Sequence, residues 1–460
     1  MNLGLCKIKR WLSRIYDSSV LTITEEGKRI TLFSLAMPRL CDAIFSNLLN
    51  TLSTLMLSGY AENAVGATAA ANQIISLFIT LLNVTATGTT IVVGIEFGRG
   101  NRERAARITG CAFLATAVLS FTVASVLTIF ARPILIMMNL EADALEYGVT
   151  YLRIRAPGLF VLSINSFLST MLICNANAVP TMINGIGSNV LHVIFCYLLL
   201  YVKIIPGLDG TAAVATSSVT ACTISLIYIS YSFYKARCPI KLCVEKGLLY
   251  RIYSTALPVG VGTITYTLIA TITTSFMGEI GIVALNAKTY IGSIVLYTYI
   301  VGSAIASAGQ MITGRYAGMG NIEKLKRFCS TTLTITVLIN SLSSLAVLIC
   351  YRPLLSLFTD NPEIFAIAPA IFAIDLLIEI ARAVTSVLGG TLNACRDVRT
   401  TLFGGIASSL LGSLAFSYIL GVALGMGLLG CWIAFAIEEV TKAAIYILRY
   451  AGGKWQKHIN

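Results

Sequence analysis

Apolar residues in this chain gather into twelve runs, separated by short breaks that carry charge, glycine or proline. The runs cover 32 to 57, 64 to 97, 108 to 130, 148 to 172, 181 to 202, 211 to 234, 252 to 276, 282 to 313, 328 to 350, 364 to 392, 401 to 424 and 429 to 448. A helix needs about 20 apolar residues to cross a hydrocarbon core about 30 Å thick, and each run supplies them. The period-two alternation of a membrane barrel is absent. The pattern predicts an all-α membrane protein with twelve transmembrane helices. The second and eighth runs are longer than a perpendicular crossing requires, so they must tilt or project beyond the bilayer.

The twelve runs are six written twice. The stretch GIEFGRGNRERAAR, Gly94 to Arg107, returns as GRYAGMGNIEKLKR, Gly314 to Arg327. At an offset of 220, Gly94, Gly98, Gly100, Asn101, Glu103 and Arg107 meet Gly314, Gly318, Gly320, Asn321, Glu323 and Arg327. The same offset carries Pro38 onto Pro258, Arg132-Pro133 onto Arg352-Pro353, and the Gly-Leu-x-Gly ending at Gly210 onto the one ending at Gly430. Such self-similarity predicts two six-helix bundles in the same orientation, related by a pseudo-twofold axis, with a wet crevice where they face. The expected organisation is an amino-terminal segment (1–30), an N-lobe (31–234), a linker (235–251), a C-lobe (252–450) and a tail (451–460). The repeated glycines read as tight turning and close helix approach. A phosphate cradle is the less favoured alternative, because no Lys-Ser/Thr follows them and no strand precedes them.

Composition sharpens this picture. Charged residues make up 12% and hydrophobic ones 56%, with a mean hydropathy of +0.82. A formal charge of +12 would suit a nucleic-acid partner, but its placement argues against one. Most Lys and Arg fall in the amino-terminal segment, the breaks near Arg99 to Arg107, Lys235 to Arg251, Arg315 to Arg327 and Arg396 to Arg399, and the carboxyl end. Only Arg132, Lys203 and Arg352 fall in the breaks on the opposite side. The positive-inside rule then puts both termini in the cytoplasm of a multi-pass cell (inner) membrane protein. No cleavable signal precedes the first run, which serves as the insertion signal. Leu5, Ile8, Leu12 and Ile15 recur at helical spacing, and residues 4 to 16 read either as an interfacial helix or as a plain tail.

Twelve cysteines lie scattered, mostly within apolar runs, and read as packing residues. Cys238 and Cys243 have no histidine near enough to suggest zinc. His192, the one histidine in a run, lacks a catalytic or metal-binding pattern and reads as a packed or hydrogen-bonded helix residue. No catalytic residue, metal or organic cofactor is expected, and the chain reads as no enzyme.

Charge and amides at membrane depth are the candidate chemistry. Arg39 and Asp42 lie three apart just after Pro38, on one face where they can pair. Asn47, Asn50, Asn72, Gln73, Asn83 and Asn165 populate the amino half; some tie helices together and others face water, with Thr54 among the polar candidates. In the carboxyl half Lys288 lies in the eighth run, and Asp375, Glu379 and Arg382 share one face of the tenth. Charges there cost at least about 2.5 kcal/mol each, so they face a cavity or a partner. They read either as a substrate or coupling-ion site or as a neutral network of two acids against Lys288 and Arg382. Glu438, Glu439 and Lys442 in the last run read as a locally neutralised packing cluster.

In these respects the chain resembles the multidrug and toxic compound extrusion (MATE) family, from about Ile30 to Trp455. The resemblance is carried by the first-run proline followed by Gly59, by AVGATAAANQI (64 to 74), by the two Gly-Gly-Asn breaks and by LNACRDVRTT (392 to 401). It extends to GLLGCWIA (427 to 434) and the closing Gly-Lys-Trp (453 to 455), which are similar to a bacterial branch with a Glu and an Arg on the tenth helix. The resemblance implies two lobes that open alternately and export organic substrates in exchange for H⁺ or Na⁺. It also shows departures: Thr54 stands where many members carry an aspartate, no acid occupies 266 to 268, and Arg382 stands near another branch's acid. Coupling would then fall to Asp375, Glu379 or Asp42.

The mechanism this implies is competition between a coupling ion and a cationic or amphipathic small molecule for one carboxylate, in a monomer within a lipid bilayer. A lipid-linked oligosaccharide flippase of the same superfamily is the alternative, with Arg39, Arg153, Arg155, Lys288 and Arg382 available for a pyrophosphate. A solute sensor without turnover is a third reading.

Overall fold

The computed structural model describes residues 22–25, 28–58, 62–136, 142–205, 208 and 210–459; side chains are described for most of them. Twelve long helices follow in order: α1 Leu32–Ser58, α2 Glu62–Gly98, α3 Arg102–Ile129, α4 Ala142–Cys174, α5 Val179–Leu200, α6 Gly210–Lys235, α7 Lys246–Ile280, α8 Ile282–Gly318, α9 Ile322–Ile349, α10 Pro362–Ala394, α11 Val398–Ala423 and α12 Gly427–Ala451. Each matches one predicted run, the run ending at most two residues beyond its helix. Eleven are long and apolar enough to cross a membrane. The remaining one, α12, carries Glu438, Glu439 and Lys442 along its length.

Three features depart from the sequence-based expectations. An antiparallel hairpin of β1 (Thr22–Glu25) and β2 (Lys28–Thr31) precedes α1, pairing Thr22 with Thr31. Short helices Ala131–Ile136 and Tyr351–Leu355 occupy the two Arg-Pro breaks, where a proline suits a first helical turn. Most of the second half of α11 is π-helical, over Ser409–Ala415 and Ser417–Ala423. The segment 4 to 16 and the Gly59 motif lie outside the described residues, as do the side chains of Asn50 and Thr54.

The chain divides into two compact units. One consists of Pro38–Val93 and Asn101–Ala256, the other of Gly94–Gly100 and Leu257–Asn460 with the described part of Met1–Met37. The linker belongs to the amino-terminal unit because it is strapped to α3. Lys241 N donates to the Ala106 carbonyl at 3.0 Å, and Cys243 Sγ lies 3.4 Å from the Arg107 carbonyl. Residues 94 to 100 join the other unit because the glycines there pack on α8. A β-carbon at Gly94 would stand 3.9 Å from the Cα of Gly314, and one at Gly318 would stand 2.9 Å from the Cα of Gly98.

The repeated motif is thereby explained residue by residue. Its first two glycines permit helix contact, and its third, Gly100 or Gly320, closes the helix with positive φ, 73° or 68°. The asparagine caps the next helix: Asn101 Oδ1 accepts from Arg104 N at 3.1 Å, and Asn321 Oδ1 from Lys324 N at 3.0 Å. Glu103 then pairs with Arg107 at 2.8 Å, and Glu323 with Arg327 at 3.4 Å.

Each unit has its own apolar core. In the amino-terminal unit Leu127, Leu135, Leu152 and Leu159 are fully enclosed, and in the other Leu355, Ile364, Ile371 and Phe372 are. The expected tail is folded. Residues Lys454–His458 form a 3₁₀ turn in which buried Trp455 stacks on Tyr450, centroids 5.3 Å apart, and donates Nε1 to the Tyr450 carbonyl at 2.9 Å.

Candidate functional site

The carboxy-terminal unit encloses a cavity of about 800 Å³. Helix α10 contributes Asp375 and Arg382, α8 contributes Lys288 and Tyr299, α7 contributes Tyr266 and Thr274, and α12 contributes Trp432, Glu438, Glu439 and Lys442. The sequence sets these positions by helical spacing: 375 and 382 are two turns apart, and 438, 439 and 442 fall on one side of α12.

Charges here come with specific partners. Glu379, with no exposed side-chain surface, accepts from Arg382 Nη1 and from Asn340 Nδ2, the latter at 3.0 Å. Arg382 also lies over the Tyr299 ring at 5.5 Å. Lys442 bridges Glu438 and Glu439 at 3.0 and 3.1 Å and sits 5.5 Å from the Tyr266 ring centroid. Ser409 donates to Glu438 at 2.5 Å, and Thr385 to Glu439 at 3.1 Å. The π-helical stretch starts at Ser409, and Gly412 within it lets α11 come up against the Glu438 backbone. Asp375 has Trp432 as its hydrogen-bonding neighbour. Lys288 donates to Thr274 Oγ1 at 2.9 Å. A neutral network of two acids against Lys288 and Arg382 therefore does not form, because Lys288 bonds a hydroxyl instead of a carboxylate. Nor is the α12 cluster mere packing, since all three of its charged groups line the cavity.

A second cavity, about 580 Å³, lies within the amino-terminal unit. Asp42, Asn72 and Asn165 line it together with Arg155, His192 and Asn184. Asn165, Asn184 and Ser225 form a closed ring of hydrogen bonds, each 2.8 Å. Asn72 accepts from the Tyr151 hydroxyl at 2.9 Å. Asp42 is bonded to Ser46 and lies within electrostatic reach of Arg39. Asn47 instead donates to the Ala43 carbonyl of its own helix at 2.8 Å and is not among the residues lining the cavity. His192, read from sequence as a packed or hydrogen-bonded residue, borders the cavity.

The two cavities use the same positions of the repeat. At the offset of 220, Tyr266, Lys288, Tyr299, Asp375, Arg382, Glu438 and Lys442 fall on Ser46, Thr68, Ile79, Arg155, Leu162, Ser218 and Cys222, and all fourteen are lining residues. One cavity is rich in charge and the other in amides and hydroxyls. At the pair Asp375 and Arg155 the sign of the charge reverses.

The family model MatE matches residues 38–198 and again 258–419. The chain belongs to the MatE family. Its two matched stretches begin 220 residues apart, as the internal repeat does. Among relatives, the MatE chain is 26% identical over 434 residues to the "Uncharacterized transporter YisQ" of Bacillus subtilis, covering 93% of this chain and 95% of that protein. It is 22% identical over 439 residues to the "Probable multidrug resistance protein NorM" of Thermotoga maritima, covering 93% of each. Among solved structures, an outward-facing multidrug resistance MATE family transporter of the MOP superfamily superposes with a TM-score of 0.81 at 18% identity, covering 92% of this chain and 96% of that one. A MOP superfamily transporter from Pyrococcus furiosus, described as having a binding pocket of reversed polarity, gives 0.83 at 18%, covering 92% and 94%. The fold is that of a multi-pass, all-α MATE transporter. Among the described residues no group of three His, Cys, Asp or Glu side chains is placed to hold a metal ion.

Proposed function

We propose that this MatE protein exports organic compounds, cationic or amphipathic, by alternating access in exchange for H⁺ or Na⁺. It acts as a monomer in the inner membrane, with both termini in the cytoplasm. The observation that carries the reading is the charge balance of the carboxy-terminal cavity. Asp375, Glu438 and Glu439 line it with Lys288, Arg382 and Lys442, and Glu379, enclosed behind the lining, holds Arg382; counted together, the four acids exceed the three bases by one.

Three of the four carboxylates are tied to basic groups. Glu379 is held by Arg382 and Asn340, and Glu438 and Glu439 share Lys442. Asp375 is the acid left to take a coupling ion or a cationic substrate. A proton bound there neutralises the carboxylate and releases the cation, and its departure to the cytoplasm restores the site. The tied carboxylates keep the field around Asp375 fixed while this happens. Asp42 is the acid lining the amino-terminal cavity, at a different position of the repeat, and its neighbour Ser46 supplies a hydroxyl.

Purified protein in sealed vesicles tests this. An imposed pH or Na⁺ gradient is expected to drive uptake of a fluorescent organic cation, and Asp375→Asn is expected to abolish the dependence on the gradient. Unchanged gradient-driven flux in Asp375→Asn, and again in the Asp375→Asn, Glu379→Gln double variant, would refute the assignment. Export is favoured over a pyrophosphate-binding flippase because two of the three bases lining that cavity, Arg382 and Lys442, are already paired with carboxylates, while Arg153 is exposed.

A further inference from the structure

Once the ion pairs of the carboxy-terminal cavity are accounted for, one lysine and one aspartate are left outside them. Lys442 answers Glu438 and Glu439, and Arg382 answers Glu379. Lys288 has only the Thr274 hydroxyl, and among the described residues no carboxylate pairs with it. Asp375 likewise has no ion-pair partner among the described residues; Arg382 acts on it through space, but that guanidinium is engaged by Glu379. Both residues line the same cavity without pairing with each other.

Lys288 stands six residues into α8 and Asp375 thirteen into α10. At about 1.5 Å per residue this puts them about 9 Å and 20 Å from the starts of their helices. A charge left without a partner at membrane depth is costly and marks a substrate or ion path. A simple cation bound at Asp375 would satisfy the acid and still face the Lys288 ammonium across the cavity. A ligand with an anionic group toward Lys288 satisfies both.

We infer that the cavity selects organic zwitterions, with the cationic end at Asp375, a carboxylate at Lys288 and the apolar body against Ile269, Val295 and Leu296. Lys288 is thus a specificity-determining residue. This deepens the export reading and rests on it only in treating the cavity as the transport site.

The probes are a rhodamine bearing a free carboxylate and its methyl ester, which differ by one negative charge. In vesicles containing the full-length protein, gradient-driven uptake of the carboxylate form is expected to exceed that of the ester at least about fivefold. Lys288→Gln is expected to bring that ratio to one or below, and Lys288→Arg to restore a ratio above one. Equal or reversed preference in the wild type, or a ratio that Lys288→Gln leaves unmoved, would overturn the inference. If neither dye responds to a gradient, the export reading fails instead. The inference is then decided by fluorescence anisotropy, as the ratio of the two affinities for the purified wild-type protein, which also serves should Lys288→Gln not fold.

Discussion

A β-carbon placed on Gly318 would stand 2.9 Å from the Cα of Gly98 and closer still to the Ile95 carbonyl oxygen. Backbone cannot yield there as a side chain can, so Gly318→Ala is expected to destabilise the protein by about 1–3 kcal/mol. Gly320→Ala is expected to cost about 1–2 kcal/mol for another reason, its φ of 68°. At Gly187, inside α5, nothing lies within 4 Å of the added carbon, and Gly187→Ala is expected to stabilise by about 0.4–1 kcal/mol. Thermal unfolding of the detergent-solubilised protein, followed by circular dichroism, separates the three.

Arg382→Met leaves Glu379 enclosed with only the Asn340 amide. Removing one partner of a buried pair costs about 3–5 kcal/mol, most of it from the charge left behind. Adding Glu379→Gln to Arg382→Met should recover a large part of that loss in the same melting experiment. Additive losses in the double variant would show that the two side chains do not act as a pair.

In the amino-terminal cavity, the ring of Asn165, Asn184 and Ser225 makes a sharper case than a single hydrogen bond. Asn184→Ala removes two of its three bonds, at about 1 kcal/mol each, and is expected to cost about 2 kcal/mol. With Asn165 also changed to Ala the further loss should be small, because the ring is already open. A thermodynamic cycle over the two substitutions measures the coupling.

Trp455 is fully enclosed although it lies five residues from the end of the chain. Trp455→Ala is expected to cost about 3–5 kcal/mol, as for other buried aromatic residues. Amide hydrogen exchange should show lost protection around Lys454–His458 and Tyr450.

Transport polarity gives a further outcome. Exchange of one H⁺ for one monovalent cation moves no net charge, so a valinomycin-clamped potassium potential should leave that flux unaltered. One-for-one exchange with a zwitterion moves one charge per cycle, worth about 2.3 kcal/mol per 100 mV. Flux of the zwitterion should therefore rise or fall with the sign of the clamp.

The twelve helices were legible because each apolar run is long and bounded by charge or by glycine and proline. The repeat was legible because its glycines and capping asparagines have backbone duties that other residues fill poorly. Which way side chains point was harder to read. A helix apolar on every side has no stripe to mark its inward face. Arg155 therefore entered only the pyrophosphate alternative, grouped with basic residues of both halves, and the cluster of Glu438, Glu439 and Lys442 read as self-neutralised packing because its i,i+3 and i,i+4 spacing does predict local pairing. That pairing forms, and the cluster faces the cavity as well. Lys288 was legible as a charge at membrane depth, but its bond to Thr274 depends on how α7 meets α8, which no local spacing encodes. The π-helical half of α11 left no signal, since it arises where Gly412 lets the chain press against α12.

Arg155 and Asp375 answer to the same place in a blueprint used twice. One tolerates a fixed positive group and the other a negative one, within scaffolds that otherwise keep step. Electrical character in this architecture is thus a detachable attribute: the frame prescribes where a vestibule opens, and a handful of interchangeable side chains decides what sort of visitor it admits.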